Sequence, residues 1–218
     1  MMLWASLPWA PLLWAIAAGS ALAYGLIFVH QPVSVLRTVV KTASVAALAA
    51  VALLSGASWL LVASLAFCAL GDAFLAGNPK RWLPFGLAAF LIGHLLYVPL
   101  FLAHEAPPGS LYWPAIAAVG VAAGLGLRIL WTSLGKLKVP VVVYVLAIVA
   151  MVASALLLPE ALWPATAGAV AFMASDLVLS QDLFRGARLM GSPRLTAWTI
   201  WFLYWGGQAG ICWGMMQA

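Results

Sequence analysis

Residues 57–77 read ASWLLVASLAFCALGDAFLAG, an apolar run in which Asp72 is the only charged residue. An α-helix needs about 20 apolar residues to cross the ~30 Å of hydrocarbon in a bilayer, so this run predicts a membrane-spanning helix. A charged side chain inside hydrocarbon costs about 2.5–3.5 kcal/mol on insertion scales. The aspartate is therefore a candidate functional residue. Further long apolar runs, and a second aspartate inside one of them, occur in the rest of the chain.

The composition of the whole 218-residue chain is that of a membrane protein. Hydrophobic residues make up 66% of it and charged residues 7%, whereas about a quarter of the residues in a soluble domain are charged. A soluble enzyme is therefore excluded. Ten scattered Lys and Arg residues help to give a net charge of +5 but form no basic stripe, which excludes a nucleic-acid partner. The two cysteines, Cys68 and Cys212, lie in apolar runs and indicate no disulfide framework.

Eight apolar runs fill the chain and predict an all-α, polytopic membrane helix bundle in a single domain over residues 1–218. The runs cover residues 9–28, 38–54, 57–77, 82–103, 112–131, 139–158, 161–180 and 195–216. The shortest connection is Ser55-Gly56-Ala57-Ser58, and the count falls to seven if this segment is not a turn. No cationic segment precedes the first run, so we interpret it as a retained helix rather than a cleaved signal.

All basic residues lie at alternate connections, the first, third, fifth and seventh. They are Arg37, Lys41, Lys80, Arg81, Arg128, Lys136, Lys138, Arg185, Arg188 and Arg194. Basic residues near helix ends mark the cytoplasmic side, so both termini are expected on the other side. We expect a multi-pass protein of a bacterial cytoplasmic membrane whose oligomeric state the sequence leaves open.

Asp72 and Asp176 each lie near the cytoplasmic end of a predicted helix. Each precedes the next basic residue by eight or nine positions, ~12–14 Å at 1.5 Å per residue, which predicts a common depth. A single membrane aspartate often serves only as a hydrogen-bond partner between helices, but two at one depth favour acid/base chemistry. A weak likeness between residues 66–69 and 171–174, before the two aspartates, suggests a duplicated four-helix unit.

His94 and Tyr97 share one face of the fourth helix, because residues three apart are neighbours on a helix. A lone membrane histidine is as often a hydrogen-bond partner as a functional group. The sequence has no HxxxH or HxxE pair to complete a metal site, so no metal is expected. His94 is expected either to orient an aspartate or to line a cavity for a lipid tail.

Several further polar residues lie at comparable positions on other helices. Lys41, one turn inside the second helix, either reaches the interface or serves as counter-ion to the aspartates or clamp for a lipid phosphate, whereas Arg37 is interpreted as reaching the interface. Tyr144 enters the sixth helix at a similar depth. Tyr204 and Gln208 lie on one stripe of the eighth helix and need hydrogen-bond partners if buried.

The order and spacing of these residues resemble those of the YhhN-type lysoplasmalogenase family. The likeness rests on Lys41, Gly71-Asp72, Gly93-His94 with Tyr97, Tyr144, Ser175-Asp176, and Tyr204 with Gln208. The resemblance implies a membrane hydrolase without a cofactor that cleaves the vinyl ether bond of choline or ethanolamine lysoplasmalogens, releasing a fatty aldehyde and a glycerophospho-alcohol. It implies Asp72 and Asp176 as the catalytic pair and the other residues as contacts to the lysophospholipid.

The chemistry of a vinyl ether independently calls for two carboxyl groups. Hydrolysis begins with protonation of a carbon, which leaves an oxocarbenium ion that water captures. One carboxylic acid donates the proton and a second carboxylate stabilises the positive charge, as in glycoside hydrolysis. Two like charges close together in a low-dielectric medium do not both ionise at low cost, so one aspartate is expected to stay protonated. The sequence does not decide which one.

Two other functions use membrane aspartates. A proton-coupled transporter or lipid-binding protein carries protons on such residues, and typically has broken helices in an inverted repeat. An intramembrane aspartyl protease has a GxGD pattern, but residues 69–72 read ALGD and lack the first glycine. We therefore favour the hydrolase.

Overall fold

A computed structural model of the protein describes residues 9–77 and 79–218, which form eight α-helices. They are α1 (Ala10–Ala23), α2 (Val35–Leu54), α3 (Trp59–Ala76), α4 (Pro79–Leu102), α5 (Tyr112–Leu130), α6 (Lys138–Ala155), α7 (Trp163–Arg185) and α8 (Pro193–Met215). A π-helical turn, Tyr24–Phe28, extends α1. Each predicted run corresponds to one helix, so the predicted all-α bundle is confirmed. Residues 1–8, which precede the first predicted helix, lie outside the described residues.

Seven of the described helices are long and apolar enough to cross a membrane. The remaining one, α8, has 23 residues and is also long enough, but its tryptophans, glycines and Gln208 make it less apolar. The protein is thus a multi-pass membrane protein. The predicted short turn between α2 and α3 is present. At this turn Gly56 adopts a left-handed conformation with φ +70° that few other residues tolerate.

The end of α7 differs from the sequence-based prediction. The apolar run stops at residue 180, but the helix continues to Arg185. It ends only at Gly186, whose left-handed φ of 64° lets its N–H donate to the Asp182 carbonyl over 2.8 Å. The extra turn places Asp182 on the same helix as Asp176.

Successive helices pack against each other within each half of the chain, α1 to α4 and α5 to α8. The halves meet where α4 packs on α6 and where α2 and α3 pack on α8. Helices α7 and α8 approach closely: a Cβ on Gly168 would lie 2.5 Å from the Gly207 carbonyl oxygen. The connections α1–α2, α3–α4, α5–α6 and α7–α8 lie together, and we call this side the basic end because all Lys and Arg residues are in or beside them.

Two glycines bring α4 close to α3, next to the first aspartate. A Cβ on Gly71 would lie 2.7 Å from the Phe90 ring, and one on Gly93 would lie 2.8 Å from the Cys68 Sγ. Both glycines therefore permit close contact between α3 and α4. The contact places the Phe90 ring of α4 against Gly71, the residue that precedes Asp72 on α3.

Candidate active site

A cavity of about 300 Å³ lies between the two halves toward the basic end. Side chains from α2 to α8 and from the π-helical turn line it. Six of the nine predicted site residues are among them. The six are Lys41, Asp72, Tyr144, Ser175, Asp176 and Tyr204. The other three, His94, Tyr97 and Gln208, are fully buried behind the wall and are not lining residues.

Asp72 is held by one cation and one hydroxyl. Lys41 Nζ lies 3.0 Å from Asp72 Oδ1, and the Tyr204 hydroxyl donates to Oδ2 over 2.7 Å. The side chain of Asp72 is 1% exposed and that of Lys41 13%. The rings of Tyr24 and Trp201 each lie 5.8 Å from Nζ, so the ammonium group has aromatic faces around it. Of the roles considered for Lys41, its place in the structure is that of a counter-ion.

Asp176 has different partners. The Tyr144 hydroxyl donates to its Oδ2 over 2.5 Å, and His94 Nε2 lies 3.9 Å from the same oxygen. Among the side chains that the structure describes, no Lys or Arg lies within ion-pair distance of Asp176. The neighbouring Ser175 hydroxyl donates to the Ile200 carbonyl over 2.8 Å, which joins α7 to α8. Asp176 is thus bound by a hydroxyl and faces an imidazole, without a permanent cation.

His94 is oriented by its own helix. A carbonyl oxygen only accepts hydrogen bonds, so the 2.7 Å contact between Nδ1 and the Phe90 carbonyl requires the proton on Nδ1. Nε2 is then the nitrogen that faces Asp176. The imidazole packs on the rings of Phe172 and Tyr144, at centroid distances of 4.6 and 5.1 Å. Of the two roles expected for His94, this position favours orienting an aspartate over lining a cavity.

Tyr97 and Gln208 form a second polar layer, farther from the basic end. The Tyr97 hydroxyl donates to Gln208 Oε1 over 2.6 Å, and both side chains are fully buried. Gln208 lies one turn beyond Tyr204 on α8 and therefore beneath the aspartates. The sequence analysis requires a hydrogen-bond partner for a buried Gln208, and this partner is the Tyr97 hydroxyl. The pair ties α4 to α8 below the cavity and makes no contact with its lumen.

Arg37, interpreted from the sequence as reaching the interface, binds three groups of the bundle at the basic end. Its Nε and Nη1 donate to the carbonyls of Phe28 and Ala76, over 3.2 and 2.7 Å, and its Nη2 donates to the Tyr24 hydroxyl over 3.0 Å. These carbonyls belong to the last turns of the π-helical segment and of α3, where carbonyls lack helical partners. Arg37 therefore joins three elements at the basic end, and it also lines the cavity.

Tyr24 and Asp182 line the cavity but were not singled out by the sequence analysis. Tyr24 lies in an apolar run without any polar pattern to mark it, yet its ring and hydroxyl contact Lys41 and Arg37. Asp182 lies beyond the predicted end of its helix, so it was not considered. Its side chain is 39% exposed, and its Oδ1 lies 3.8 Å from Arg188 Nε. An acidic residue six positions after Asp176 and amid basic residues was the available signal.

The chemical groups at this site are carboxyls, an ammonium group, hydroxyls and an imidazole. In the described part of the chain, His, Cys, Asp and Glu side chains form no group of three or more that could hold a metal ion. Both cysteines are buried free thiols. Two carboxyls on one cavity, one with a cation and one without, can supply a carboxylate and a carboxylic acid together.

Comparison with known proteins identifies relatives over most of the chain. The YhhN family matches residues 36–215. Proteins named Lysoplasmalogenase from Mycobacterium bovis and Mycobacterium tuberculosis are each 36% identical over 223 positions, which cover 90% of this chain and 82% of theirs. The protein named Uncharacterized membrane protein YhhN from Escherichia coli O157:H7 is 33% identical over 88 positions, 40% of this chain and 41% of its own. No solved structure matches. The chain belongs to the YhhN family.

Proposed function

We propose that this member of the YhhN family is a lysoplasmalogenase, which hydrolyses the vinyl ether bond of a lysoplasmalogen to a fatty aldehyde and a glycerophospho-alcohol. The observation that carries the proposal is the unlike pairing of two aspartates on one cavity, Asp72 with a cation and Asp176 without. Vinyl ether hydrolysis requires one carboxylic acid and benefits from one carboxylate. The name of the two mycobacterial relatives supports the same reaction.

Asp176 is the proton donor in this proposal. It has no Lys or Arg partner in the described part of the chain, and its side chain is 15% exposed beside the cavity. A carboxyl in such surroundings favours its neutral form, because burial penalises the charge and no cation offsets the penalty. The Tyr144 hydroxyl donates to Oδ2, and the His94 ring lies 3.9 Å from the same oxygen; we assign the proton that moves to Oδ1, the oxygen without these neighbours. The two partners fix the direction in which the acid points.

Asp72 is the carboxylate in this proposal. The ammonium group of Lys41, 3.0 Å away, keeps the carboxyl ionised, and Tyr204 donates a further hydrogen bond to it. An anion fixed in this way stabilises an oxocarbenium ion without reorganising as the charge develops. Lys41 itself stays protonated throughout, since its role is to balance Asp72.

The proposed reaction then runs in three steps. Asp176 transfers its proton to the outer carbon of the double bond, and the resulting oxocarbenium ion lies against the Asp72 carboxylate. Water adds to the carbon that bears the ether oxygen and returns a proton to Asp176, which forms a hemiacetal. The hemiacetal loses the glycerol oxygen as a hydroxyl and becomes the aldehyde, so one water is consumed and both aspartates are regenerated.

The cavity accommodates the reacting part of such a lipid. Its volume of about 300 Å³ is at the small end for ligand pockets. The glycerol and vinyl ether fill this space, and the alkyl chain leaves it between helices. The wall formed by α5 has few buried residues; α5 packs mainly on α6 and α7 and contributes Ala123, Gly126 and Leu127 to the cavity. We place the exit of the alkyl chain along this wall.

Aldehyde release from a purified sample tests the proposal. The protein in detergent micelles is incubated with a 1-alkenyl lysophospholipid, and with 1-alkyl and 1-acyl lipids of the same chain length as controls. We expect aldehyde from the alkenyl lipid alone, and full activity after exhaustive chelation. In heavy water, with the aldehyde reduced at once, the product should carry one deuterium next to the former carbonyl carbon. Absence of aldehyde, or of deuterium at that carbon, would overturn the proposal.

A further inference from the structure

Asp182 lies at the mouth of the cavity, in a position suited to contact a substrate rather than the bundle. It is on the same helix as Asp176 but six residues nearer the basic end, ~9 Å along the helix axis. Both residues line the one cavity. The only ion-pair partner of Asp182 in the described residues is Arg188, at 3.8 Å, and the side chains are 39% and 50% exposed. Exposed pairs of this kind are weak, so a second cation can replace Arg188.

Arg37 lies at an intermediate level on the other wall. It precedes Lys41 by four residues on α2, which places it ~6 Å nearer the basic end than the Lys41–Asp72 pair. A guanidinium group has five N–H donors. In Arg37, three of these N–H groups donate to Phe28, Ala76 and Tyr24. Arg37 therefore presents a fixed positive charge to the cavity with donor capacity to spare.

The three levels match the order of groups in a zwitterionic lysophospholipid. From the vinyl ether oxygen, the phosphorus is five bonds away and the ammonium nitrogen nine. An extended chain advances roughly 1.2 Å per bond, so these groups lie about 6 Å and about 11 Å from the reacting oxygen. With the vinyl ether between the two aspartates, the phosphate reaches the level of Arg37 and the ammonium that of Asp182.

We propose that Arg37 and Asp182 form a head-group subsite for zwitterionic lysophospholipids, in which Arg37 binds the phosphate and Asp182 the ammonium group. This subsite rests on the proposed function, because the position of the vinyl ether sets the other two distances. When the ammonium binds Asp182, Arg188 leaves its partner and becomes available to the phosphate. The net charge of the mouth is then unchanged, since the zwitterion carries one negative and one positive charge.

Asp182 also sets the specificity of the subsite. A lysolipid that ends in a bare phosphate brings a negative charge near this carboxylate and no ammonium to balance it. Like charges at a binding site discriminate against the wrong ligand. The subsite therefore selects choline and ethanolamine lipids over the corresponding lipid with a bare phosphate.

Binding of two lipids that lack the vinyl ether tests the subsite without depending on hydrolysis. The probes are a 1-alkyl lysophosphocholine and a 1-alkyl lysophosphatidic acid of the same chain length, measured by calorimetry on the full-length protein in micelles. The wild-type protein should bind the zwitterion roughly fivefold more tightly, the scale of one partly exposed ion pair. Asp182→Asn should remove this preference, and Asp182→Glu should keep it.

The matched control is Glu105→Gln, which removes one exposed carboxylate at the opposite end of the bundle and should leave the preference unchanged. If Asp182 only holds Arg188 in place, Asp182→Asn will weaken both lipids alike, and an unchanged ratio overturns the subsite. Aldehyde release from the alkenyl lipid, measured on the same samples, separates the two proposals. If Asp182→Asn keeps the preference for the zwitterion and the wild type releases aldehyde, the subsite alone is rejected. If Asp182→Asn loses the preference and the wild type releases no aldehyde, the reaction alone is rejected.

Discussion

Asp72 and Asp176 occupy corresponding places in the two halves of the chain, each on the third helix of four, yet their surroundings differ. Asp72 takes an ammonium group from the second helix of its own half and a phenol from the last helix of the other half. Asp176 accepts from a phenol on α6, the second helix of its own half, and faces an imidazole on α4, the last helix of the other half. The partners of both aspartates therefore come from corresponding helices. One architecture thus supports a carboxyl with a fixed counter-ion and a carboxyl without one.

The difference teaches how a pair of like residues acquires unlike roles. The ammonium of Lys41 on α2 corresponds to the hydroxyl of Tyr144 on α6, and this single exchange changes the charge balance around the carboxyl. The weak likeness between residues 66–69 and 171–174 agrees with a duplicated four-helix unit. In the proposed reaction, the acid and the carboxylate differ through their partners, while both residues are aspartates.

The largest expected effect is the loss of turnover in Asp176→Asn. Removing a general acid lowers turnover by about 10²–10⁴. The amide oxygen still accepts from Tyr144, and no cation is left without a partner, so the thermal unfolding of this variant should match that of the wild type. Turnover and unfolding are measured on the same sample. Near-normal turnover would show that Asp176 is not the donor.

Asp72→Asn should differ in that it also loses stability. The substitution leaves the Lys41 ammonium, 13% exposed, without its carboxylate. Breaking a buried ion pair in this way costs about 3 kcal/mol, which thermal or denaturant unfolding detects. The double variant Asp72→Asn with Lys41→Met should recover the stability but not the activity. If Asp72→Asn unfolds no earlier than the wild type, the two aspartates have equivalent surroundings and the comparison fails.

A matched pair of hydroxyl deletions gives the smallest effects. Tyr144→Phe removes the one hydroxyl bound to Asp176, and Tyr204→Phe removes one of two partners of Asp72. A hydrogen bond to a charged or reacting group contributes about 1.5 kcal/mol, or roughly tenfold in rate. We expect turnover to fall roughly tenfold in Tyr144→Phe and less in Tyr204→Phe, where Lys41 still holds the carboxylate. The reverse order would exchange the roles of the two aspartates.

Much of the fold and part of the site follow from the sequence, for physical reasons. The cost of polar groups in hydrocarbon makes helices easy to recognise and singles out both aspartates. It also explains why Gln208 requires a partner such as Tyr97. Periodicity alone does not state which helix faces which, so the pairing of Lys41 with Asp72 rather than with lipid phosphate needed the structure.

The residues that the sequence misses depend on helix ends and on packing between distant segments. Asp182 lies on the same helix as Asp176 only because α7 continues to Arg185, past the end of its apolar run. Arg37 binds carbonyls at the ends of two other elements, and no local pattern specifies such contacts. The burial of His94 likewise results from Phe172 and Tyr144, which belong to helices of the other half.

Infrared spectroscopy of the carboxyl groups tests most directly whether Asp176 is the protonated member of the pair. A protonated carboxyl gives a C=O stretch that is separate from the carboxylate bands and shifts in heavy water. At neutral pH this band should be present in the wild type and in the Asp72→Asn, Lys41→Met double variant, and absent from Asp176→Asn. A band that persists in Asp176→Asn and disappears with Asp72 would contradict the assignment of acid and carboxylate.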